Sequence, residues 1–302
     1  MVIPPDIDIS PFAHLYPFRS NFMDIGGLAY HYVDEGEGEP LLMLHGNPTW
    51  SFYYRGLIKR FSPSFRVLCP DHIGCGFSEK PSPDRYPYRL ENRVTDLENF
   101  IDNLGIKEGI TLIVHDWGGF IGCAFALRNL EKIKRVVITN TAAFLKLAEK
   151  PIPLRLWLVR RLSFFAVPAV LGANLFARAA LYMAPAKKLP KDVKAGLIAP
   201  YNSWKNRIAT LKFVQDIALT KKDPSYEMGM FLDENLHKLS RFPMLICWGM
   251  RDFVFDRDYY MEWRRRFPEA EHIEFHRAGH YLLEDEAGAV GDAIETFLKN
   301  NP

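Results

Sequence analysis

The sequence is poor in cysteine and carries almost no net charge. The four cysteines, Cys69, Cys75, Cys123 and Cys247, form no C-x-x-C pair, and they are too few for the disulfide scaffold of a secreted domain. We therefore expect reduced thiols. With 38 basic and 36 acidic residues the net charge is +2. That balance provides no broad basic surface for a polyanion, so the sequence does not favour nucleic-acid binding.

The sequence also shows neither the pattern of a targeting segment nor a long apolar run. The first ten residues contain Asp6, Asp8 and two prolines instead of a basic segment followed by apolar residues, so we expect no signal peptide and a cytoplasmic location. The longest apolar stretch, 162–177, is interrupted by Pro168 and Gly172 and is shorter than the about 20 residues that a membrane-spanning helix needs.

Short apolar runs alternate with helical segments over most of the chain, which predicts an α/β fold with a mostly parallel sheet flanked by helices. The clearest helix is 89–104, where apolar residues recur every three or four positions before Gly105. Two short apolar runs on either side of Gly26-Gly27 predict a β-hairpin at the start of the fold. The predicted strands that follow are 41–44, 66–68, 111–114, 135–139, 244–247 and 272–275.

Residues 141–241 have helical periodicity without a clear strand, so we predict a helical cap inserted into a core of residues 1–140 and 242–302. The cap is rich in aromatic residues, which either line an apolar pocket over the core or pack the interior of the cap. These residues are Trp157, Phe164, Phe165, Phe176, Trp204 and Phe213.

The segment 111–120, TLIVHDWGGF, runs from an apolar strand through a small-residue turn into a helix. This pattern is typical of a nucleophile elbow, with Asp116 where esterases have serine and with Gly118 avoiding a crowded backbone. A carboxylate can attack a carbon that bears a leaving group without first losing a proton. The sequence therefore predicts an alkyl-enzyme ester at Asp116.

Two further residues are candidates for binding the departing anion. Asn47 lies in the segment LHGNPTW after a predicted strand, where such folds place an oxyanion-hole loop. Its side-chain amide and the indole N–H of Trp117 are both hydrogen-bond donors. The alternative is that Asn47 only forms a turn and that Trp117 is only an apolar wall.

The partners of Asp116 are expected after the last two strands, at the same carboxyl edge of the sheet. There His280 is the candidate base, and Asp252 is the acid that would orient its imidazole. Asp256 is the rival acid, whereas Asn140, after an earlier strand, is an amide and cannot carry the charge.

We expect neither a metal nor an organic cofactor. The glycine-rich loop 71–80 has neither the P-loop spacing nor the dinucleotide-binding spacing, and we expect it to shape the surroundings of the elbow. No Cys/His cluster has the spacing of a zinc site.

Three segments together, HGNPTW from His45, DHIGCG from Asp71 and HDWGG from His115, resemble the haloalkane dehalogenase family of α/β-hydrolases. The resemblance implies Asp116 as the alkylated nucleophile, His280 as base, Asp252 as acid, and Asn47 with Trp117 as the halide-binding pair. The chain is also similar to the β-lactone (oxetanone) decarboxylases of bacterial long-chain olefin synthesis, which share these residues but release carbon dioxide and an alkene.

The first functional hypothesis is therefore hydrolytic dehalogenation of a small apolar haloalkane, with halide as a product. The second is decarboxylation of a lipid-like β-lactone. Epoxide hydrolysis ranks third, since it wants paired acidic tyrosines from the cap and Tyr182, Tyr201 and Tyr226 have no distinguishing context. A ligand receptor on a hydrolase scaffold remains an alternative.

Two questions about partners stay open at this point. Arg155, Arg160, Arg161 and Arg178 accompany the apolar stretch 154–183, which fits either a helix on an anionic membrane surface or the solvated face of a cap helix. The sequence leaves open whether the chain forms a homo-oligomer.

Overall fold

An eight-stranded sheet forms the centre of the fold in the computed structural model, which describes residues 7–145 and 154–302 and leaves out the side chain of Arg155. Residues 1–6 of the amino terminus and 146–153 of the expected cap therefore lie outside the described residues. The strands are β1 (Ser20–Ile25), β2 (Leu28–Glu35), β3 (Pro40–Leu44), β4 (Arg66–Pro70), β5 (Ile110–His115), β6 (Ile133–Thr139), β7 (Met244–Gly249) and β8 (Glu271–Phe275).

The strand order is β1-β2-β4-β3-β5-β6-β7-β8, and all neighbours from β4 to β8 are parallel. Strand β2 is antiparallel to both β1 and β4. The predicted hairpin is confirmed: Gly26 and Gly27 have φ of 61° and 78°, positive values that a two-residue hairpin loop needs and that glycine adopts without strain. The predicted α/β class with a mostly parallel sheet is thus confirmed.

The last strand is only partly buried. An apolar run predicts a strand at 272–275, and strand β8 forms there, but its residues are exposed or only half-buried. It lies at the edge of the sheet with β7 as its one neighbour, so less of its surface is covered than in the central strands.

Helices connect the parallel strands and cover both faces of the sheet. They are α1 (Arg55–Phe61), α2 (Leu90–Asn103), α3 (Trp117–Arg128), α4 (Leu154–Arg161), α5 (Ser163–Val167), α6 (Leu175–Met183), α7 (Lys191–Ile198), α8 (Ile208–Gln215), α9 (Tyr226–Asn235), α10 (Arg257–Arg266), α11 (Leu282–Asp285) and α12 (Ala287–Asn300). A π-helical turn, Pro168–Gly172, joins α5 to the segment before α6.

The predicted helix 89–104 is observed as α2. Its repeating apolar residues Leu90, Val94, Leu97 and Ile101 are buried against the sheet, and Gly105 after it has φ of 71°. Periodic burial of one face is the main source of helix stability in a folded chain.

Between β6 and β7 the described residues form α4 to α9 and short helical turns, with no strand. A small apolar cluster of Ala166, Val170, Leu171 and Leu211 lies within this segment, while two larger cores lie around the sheet. The division into a core and a cap stays a prediction.

All four cysteines are buried and free of disulfides. Within the described residues, no single helix has the length and apolar character to cross a bilayer. Ser163–Gly172 and Leu175–Met183, which meet at 74°, reach that length and composition only as a bent pair.

Candidate active site

Asp116 occupies the turn between β5 and α3 with φ 52° and ψ −126°. A positive φ is rare for a residue with a side chain and marks a strained position that the surroundings must hold. Two residues after β6 do so: the N–H of Asp116 donates to the carbonyl of Asn140 (3.2 Å), and the hydroxyl of Thr141 donates to the carbonyl of Asp116.

The expected need for glycine at position 118 has a clear structural basis. A Cβ atom there would overlap the main-chain carbonyl of Leu44, the last residue of β3. The elbow thus approaches the neighbouring strand so closely that a side chain has no room.

The loop after β3 supplies a main-chain donor to the nucleophile candidate. The N–H of Asn47 lies 2.5 Å from Oδ1 of Asp116, and the N–H of Trp117 also hydrogen-bonds to this carboxylate. These two N–H groups have the positions of an oxyanion hole, one after the nucleophile and one in the loop after β3. The N–H of Asn47 engages Oδ1, while Oδ2 lies 3.7 Å from Nε2 of His280.

The side chains of Asn47 and Trp117 both line the cavity in front of Asp116. The amide Nδ2 of Asn47 donates to the carbonyl of Thr210 in α8 (3.0 Å), so only its second N–H is left for the cavity. The indole N–H of Trp117 makes no hydrogen bond to any residue that the structure describes, and its ring packs against Phe213 with centroids 5.2 Å apart. Two side chains with a free N–H donor therefore line the same cavity as Asp116.

His280 lies between the two predicted carboxylates. Its Nδ1 is 2.8 Å from Oδ2 of Asp252, and its Nε2 is 3.7 Å from Oδ2 of Asp116. All three side chains are buried. The structure thus brings together the residues that the sequence placed in three separate loops.

Asp252 is held by more than the imidazole. Its Oδ1 accepts the N–H groups of Val254 (2.7 Å) and Phe255 (3.1 Å), and its Oδ2 also accepts Nδ2 of Asn140 (3.0 Å). The rival Asp256 instead accepts the N–H of Asp258 at the start of α10. The geometry therefore favours Asp252 as the partner of His280.

From its residue type alone, Asn140 is an amide that cannot replace the acid of the site, and the sequence assigns it no other role. In the fold it has φ of 32°, binds Asp252, and exchanges two hydrogen bonds with Gly249 at the end of β7 (2.8 and 3.1 Å). Its position after β6, next to β7 in the sheet, is the signal that could have indicated this role.

His115, the residue before Asp116, also supports the site. Its Nε2 hydrogen-bonds to the carbonyl of His280 (2.8 Å), and the two rings lie 4.7 Å apart. Burial keeps the pKa of His115 well below 6.5, so it is neutral and donates from Nε2. It fixes the backbone of His280 without adding charge.

The pKa values of Asp116 and His280 are both raised, but for different reasons. Burial raises the pKa of Asp116 above 3.8, and the His280 imidazole and the N–H groups of Asn47 and Trp117 oppose this only in part. Burial would lower the pKa of His280, but the Asp252 carboxylate, followed by Asp116, raises it above 6.5. The imidazolium is therefore favoured next to two carboxylates.

Asp116 and His280 open into an apolar cavity of about 1100 Å³. Of the six aromatic residues noted in the predicted cap, Phe165 and Phe176 line it. Phe213 is buried behind Trp117, and the other three are exposed. The polar side chains that reach the cavity include Asn47, Asp116, Asp216, Ser225 and His280.

The glycine-rich loop 71–80 wraps around a buried carboxylate. Asp71 accepts Nδ1–H of His31 (2.7 Å) and the N–H groups of Ser51 (2.7 Å) and Phe77 (2.9 Å), and a Cβ at Gly76 would overlap it. The loop thus has a structural explanation. Within 7–145 and 154–302, His, Cys, Asp and Glu side chains form no group of three or more that could hold a metal ion.

A nucleophile elbow at the carboxyl edge of this sheet, with an acid and a histidine from the last two strands, defines an α/β-hydrolase. The chain belongs to that family: the family model described as "alpha/beta hydrolase fold" matches residues 39–287. It is 45% identical to a cis-3-alkyl-4-alkyloxetan-2-one decarboxylase of Shewanella oneidensis, over 94% of this chain and 89% of the relative.

A decarboxylase of the same name from Xanthomonas campestris pv. campestris is 41% identical, with 95% of this chain and 98% of the relative covered. Haloalkane dehalogenase 2 of Mycobacterium tuberculosis is 29% identical over 95% and 98% of the two chains. These relatives are enzymes, so the chain is an enzyme of this superfamily, and the resemblance drawn from the motifs is confirmed.

Solved structures show the same fold. Haloalkane dehalogenase DatA from Agrobacterium tumefaciens C58 has a TM-score of 0.83 and 21% identity, covering 94% of this chain and 97% of that one. DbeA from Bradyrhizobium elkani has a TM-score of 0.82 and 21% identity, with coverage of 94% and 98%.

Proposed function

We propose that the protein is a cis-3-alkyl-4-alkyloxetan-2-one decarboxylase, which converts a long-chain cis-β-lactone into an alkene and carbon dioxide. The observation that carries the proposal is the position of Asp116, which lines a large apolar cavity while its Oδ1 is held by Asn47. The motifs alone place dehalogenation first and this reaction second. The 45% and 41% identities to decarboxylases, against 29% to a dehalogenase, favour the reverse order.

The reaction begins with ring opening at Asp116. Oδ2 attacks the ring carbon that carries the lactone oxygen, the C–O bond breaks, and its electron pair stays on the released carboxylate. The product of this step is an alkyl ester of Asp116 with a carboxylate on the adjacent carbon. During the attack Oδ1 becomes the ester carbonyl oxygen and keeps the main-chain N–H of Asn47 as its donor.

The second step regenerates the enzyme without water. The C–C bond to the carboxylate breaks, its electrons form the alkene, and the bond from carbon to Oδ2 breaks with its electron pair returning to Asp116. Carbon dioxide and an alkene leave, and no proton is gained or lost. Asn47 and Trp117 hold the carboxylate released in the first step, in the place where a dehalogenase would hold halide. His280, charged beside Asp252, stabilises Asp116 each time its carboxylate is restored.

The size and lining of the cavity also favour a lipid-like substrate. Pockets for drug-sized ligands are about 300–1,000 Å³, and this cavity of about 1100 Å³ lies above that range. Its walls are almost entirely aliphatic and aromatic, so each buried methylene contributes about 0.8 kcal/mol. A substrate with two alkyl chains gains most from such a site.

Haloalkane dehalogenation is the second candidate, because the donors of Asn47 and Trp117 would equally stabilise a departing halide. Epoxide hydrolysis has less support. Of its candidate tyrosines, Tyr182 is exposed and Tyr201 is buried with its hydroxyl donating to Thr49. None of Tyr182, Tyr201 and Tyr226 is among the described residues that line the cavity.

A side-by-side product assay tests the proposal. Wild type, Asp116→Ala and the surface control Asp84→Ala are each given a long-chain cis-β-lactone and, separately, 1-bromohexane. We expect alkene and carbon dioxide from the lactone with wild type and the control, none with Asp116→Ala, and little bromide release. Bromide release without alkene would select the dehalogenase, and no turnover of either substrate would contradict both.

A further inference from the structure

The opening of the active-site cavity is lined by exposed apolar side chains. Leu154, Leu158, Leu162, Phe165 and Leu175 all line the cavity and are also exposed at the surface, with Leu154, Phe165 and Leu175 at 69%, 66% and 57%. A side chain can do both only where the cavity meets solvent. These five, from α4 to α6, are called the mouth residues below.

The apolar surface continues beyond the mouth. Trp157, Phe164 and Tyr182 are exposed, Phe164 to 83%, and none of the three lines the cavity. On α4, Trp157 lies within one turn of the mouth residues Leu154 and Leu158, so these side chains share one face of the helix. Contiguous apolar surface of this kind on a folded protein marks an interaction site.

The charge of this part of the chain is strongly one-sided. Residues 151–191 contain seven of the 38 basic residues and none of the 36 acidic ones, so the rest of the chain has five more acidic than basic residues. The seven are Arg155, Arg160, Arg161, Arg178, Lys187, Lys188 and Lys191. The near-neutral total therefore conceals a basic stretch of sequence that contains the mouth residues, although Lys187 within it pairs with Glu286.

The four arginines of the apolar stretch 154–183 differ in their surroundings. Arg160 points inward, pairing with Asp223 and donating to the carbonyl of Ile217 (2.8 Å). Arg161 and Arg178 are exposed, and the side chain of Arg155 lies outside the described residues.

Each exposed arginine lies beside the apolar surface. On α4, Arg161 stands three residues after Leu158 and four after Trp157. On α6, Arg178 stands three residues after Leu175 and four before Tyr182. Residues three and four apart share one face of a helix. An apolar face flanked by arginines is therefore present at the mouth.

We propose that this surface docks on an anionic lipid bilayer, with the mouth against the membrane. Apolar side chains at the level of the lipid headgroups combined with basic residues are the features that bind interfacial helices to anionic membranes. The mouth helices α4 to α6 contain no acidic residue, so they add no repulsion from anionic headgroups. An apolar substrate then passes between the bilayer and the cavity without crossing water.

The proposal deepens the proposed function, because a long-chain β-lactone dissolves in a bilayer much better than in water. Its test needs no substrate. Failure of vesicle binding would leave the decarboxylase proposal standing, and failure of the decarboxylase assay would leave the binding result unaffected.

The test is flotation of the purified full-length protein with two kinds of vesicle, phosphatidylcholine alone and phosphatidylcholine mixed with phosphatidylglycerol. We expect wild type to float with the mixed vesicles only and to be released by high salt, which screens the charges. Two double variants probe the surface, Arg161→Glu with Arg178→Glu and Trp157→Ser with Phe164→Ser. Each should lower the vesicle partition coefficient about tenfold or more.

Matched controls change the same properties elsewhere. Lys59→Glu with Lys107→Glu gives the same charge change at exposed positions, and Met261→Ser replaces an apolar side chain that is 46% exposed on α10. We expect both to float like wild type, and thermal melting checks that every variant folds. Wild type that binds no vesicle, or controls that lose binding as much as the surface variants, would overturn the proposal. Binding to a partner protein but to no vesicle would assign the surface to protein recognition instead.

Discussion

The main-chain N–H of Asn47 lies 2.5 Å from Oδ1 of Asp116, so one oxygen of this carboxylate is engaged before a substrate arrives. The other oxygen, Oδ2, lies 3.7 Å from Nε2 of His280. The carboxylate thus has one oxygen held for the developing ester carbonyl and one oxygen available for attack. The following predictions test this arrangement and the residues that support it.

Asp116→Asn keeps an acceptor for the Asn47 N–H but removes the charge. Burial raises the folded-state pKa of Asp116. Protonated Asp116 therefore stabilises the fold fully below pH 3.8, and this stabilisation is lost as the pH rises through the folded-state pKa. At neutral pH the charge destabilises the fold. We expect the variant to have no turnover and a Tm higher by a few degrees at most, measured by calorimetry.

The pH dependence separates this effect from a general one. The Tm difference between Asp116→Asn and wild type should shrink toward acid pH, where wild-type Asp116 is protonated. Asp84→Asn, at an exposed position, should leave the Tm unchanged at every pH. An Asp116→Asn variant that is less stable at neutral pH would show that the charge pair with His280 outweighs burial.

Trp117→Phe keeps an aromatic wall but removes the indole N–H. A hydrogen bond to a charged group contributes about 1.5–3 kcal/mol, so we expect kcat on the lactone to fall about 10- to 100-fold with little change in KM. Trp204→Phe is the control, since Trp204 is exposed and is not among the described residues that line the cavity. An unchanged kcat for Trp117→Phe would mean that Trp117 serves only as an apolar wall.

His280→Phe distinguishes the two reaction types within one variant. Hydrolysis of an alkyl ester needs a base to activate water, whereas loss of carbon dioxide from the ring-opened lactone does not. With 1-bromohexane we expect any ester formed on Asp116 to accumulate, as seen by mass spectrometry. With the lactone we expect reduced but continuing alkene formation, and its complete loss would argue that the imidazole takes part in the decarboxylation.

Asn140→Asp replaces the donor to Asp252 by a carboxylate while keeping a residue type that tolerates the φ of 32°. Two carboxylates about 3 Å apart raise the pKa of one of them. A raised carboxyl pKa stabilises the protonated form, so the Tm of the variant should fall further below wild type as pH rises from 5 to 8. Asn103→Asp, at an exposed position, should show no such trend.

Gly118→Ala tests the close approach of the elbow to β3. The added Cβ overlaps the carbonyl of Leu44, so we expect a loss of about 3 kcal/mol or more, measured by urea unfolding. Gly288→Ala is the matched control in α12, because a Cβ there meets no atom within 4 Å. That change should be neutral or stabilise by up to about 1 kcal/mol. Equal destabilisation of both variants would refute the steric explanation.

Several features of this protein could be predicted from local sequence because local physics determines them. The apolar runs of the buried strands, the period of α2 and the glycine pair of the hairpin each follow from a few neighbouring residues. The elbow around Asp116 and Gly118 is similarly local. Asp252 and His280, in the last two loops, lie at the same sheet edge as Asp116 because the carboxyl ends of parallel strands meet at one edge.

Other features depend on residues that are distant in sequence. The first N–H of α2, at Leu90, is capped by Asp216 from 126 positions away (2.7 Å), and no local pattern contains that information. Asn140 can position Asp252 only because β6 lies next to β7 in the sheet. His115 can position His280 only because the end of β5 lies next to that residue. The exposed mouth of α4 to α6 has the sequence pattern of any amphipathic helical segment. Which faces of these helices are buried depends on how they pack on the rest of the chain, and that packing is a tertiary property.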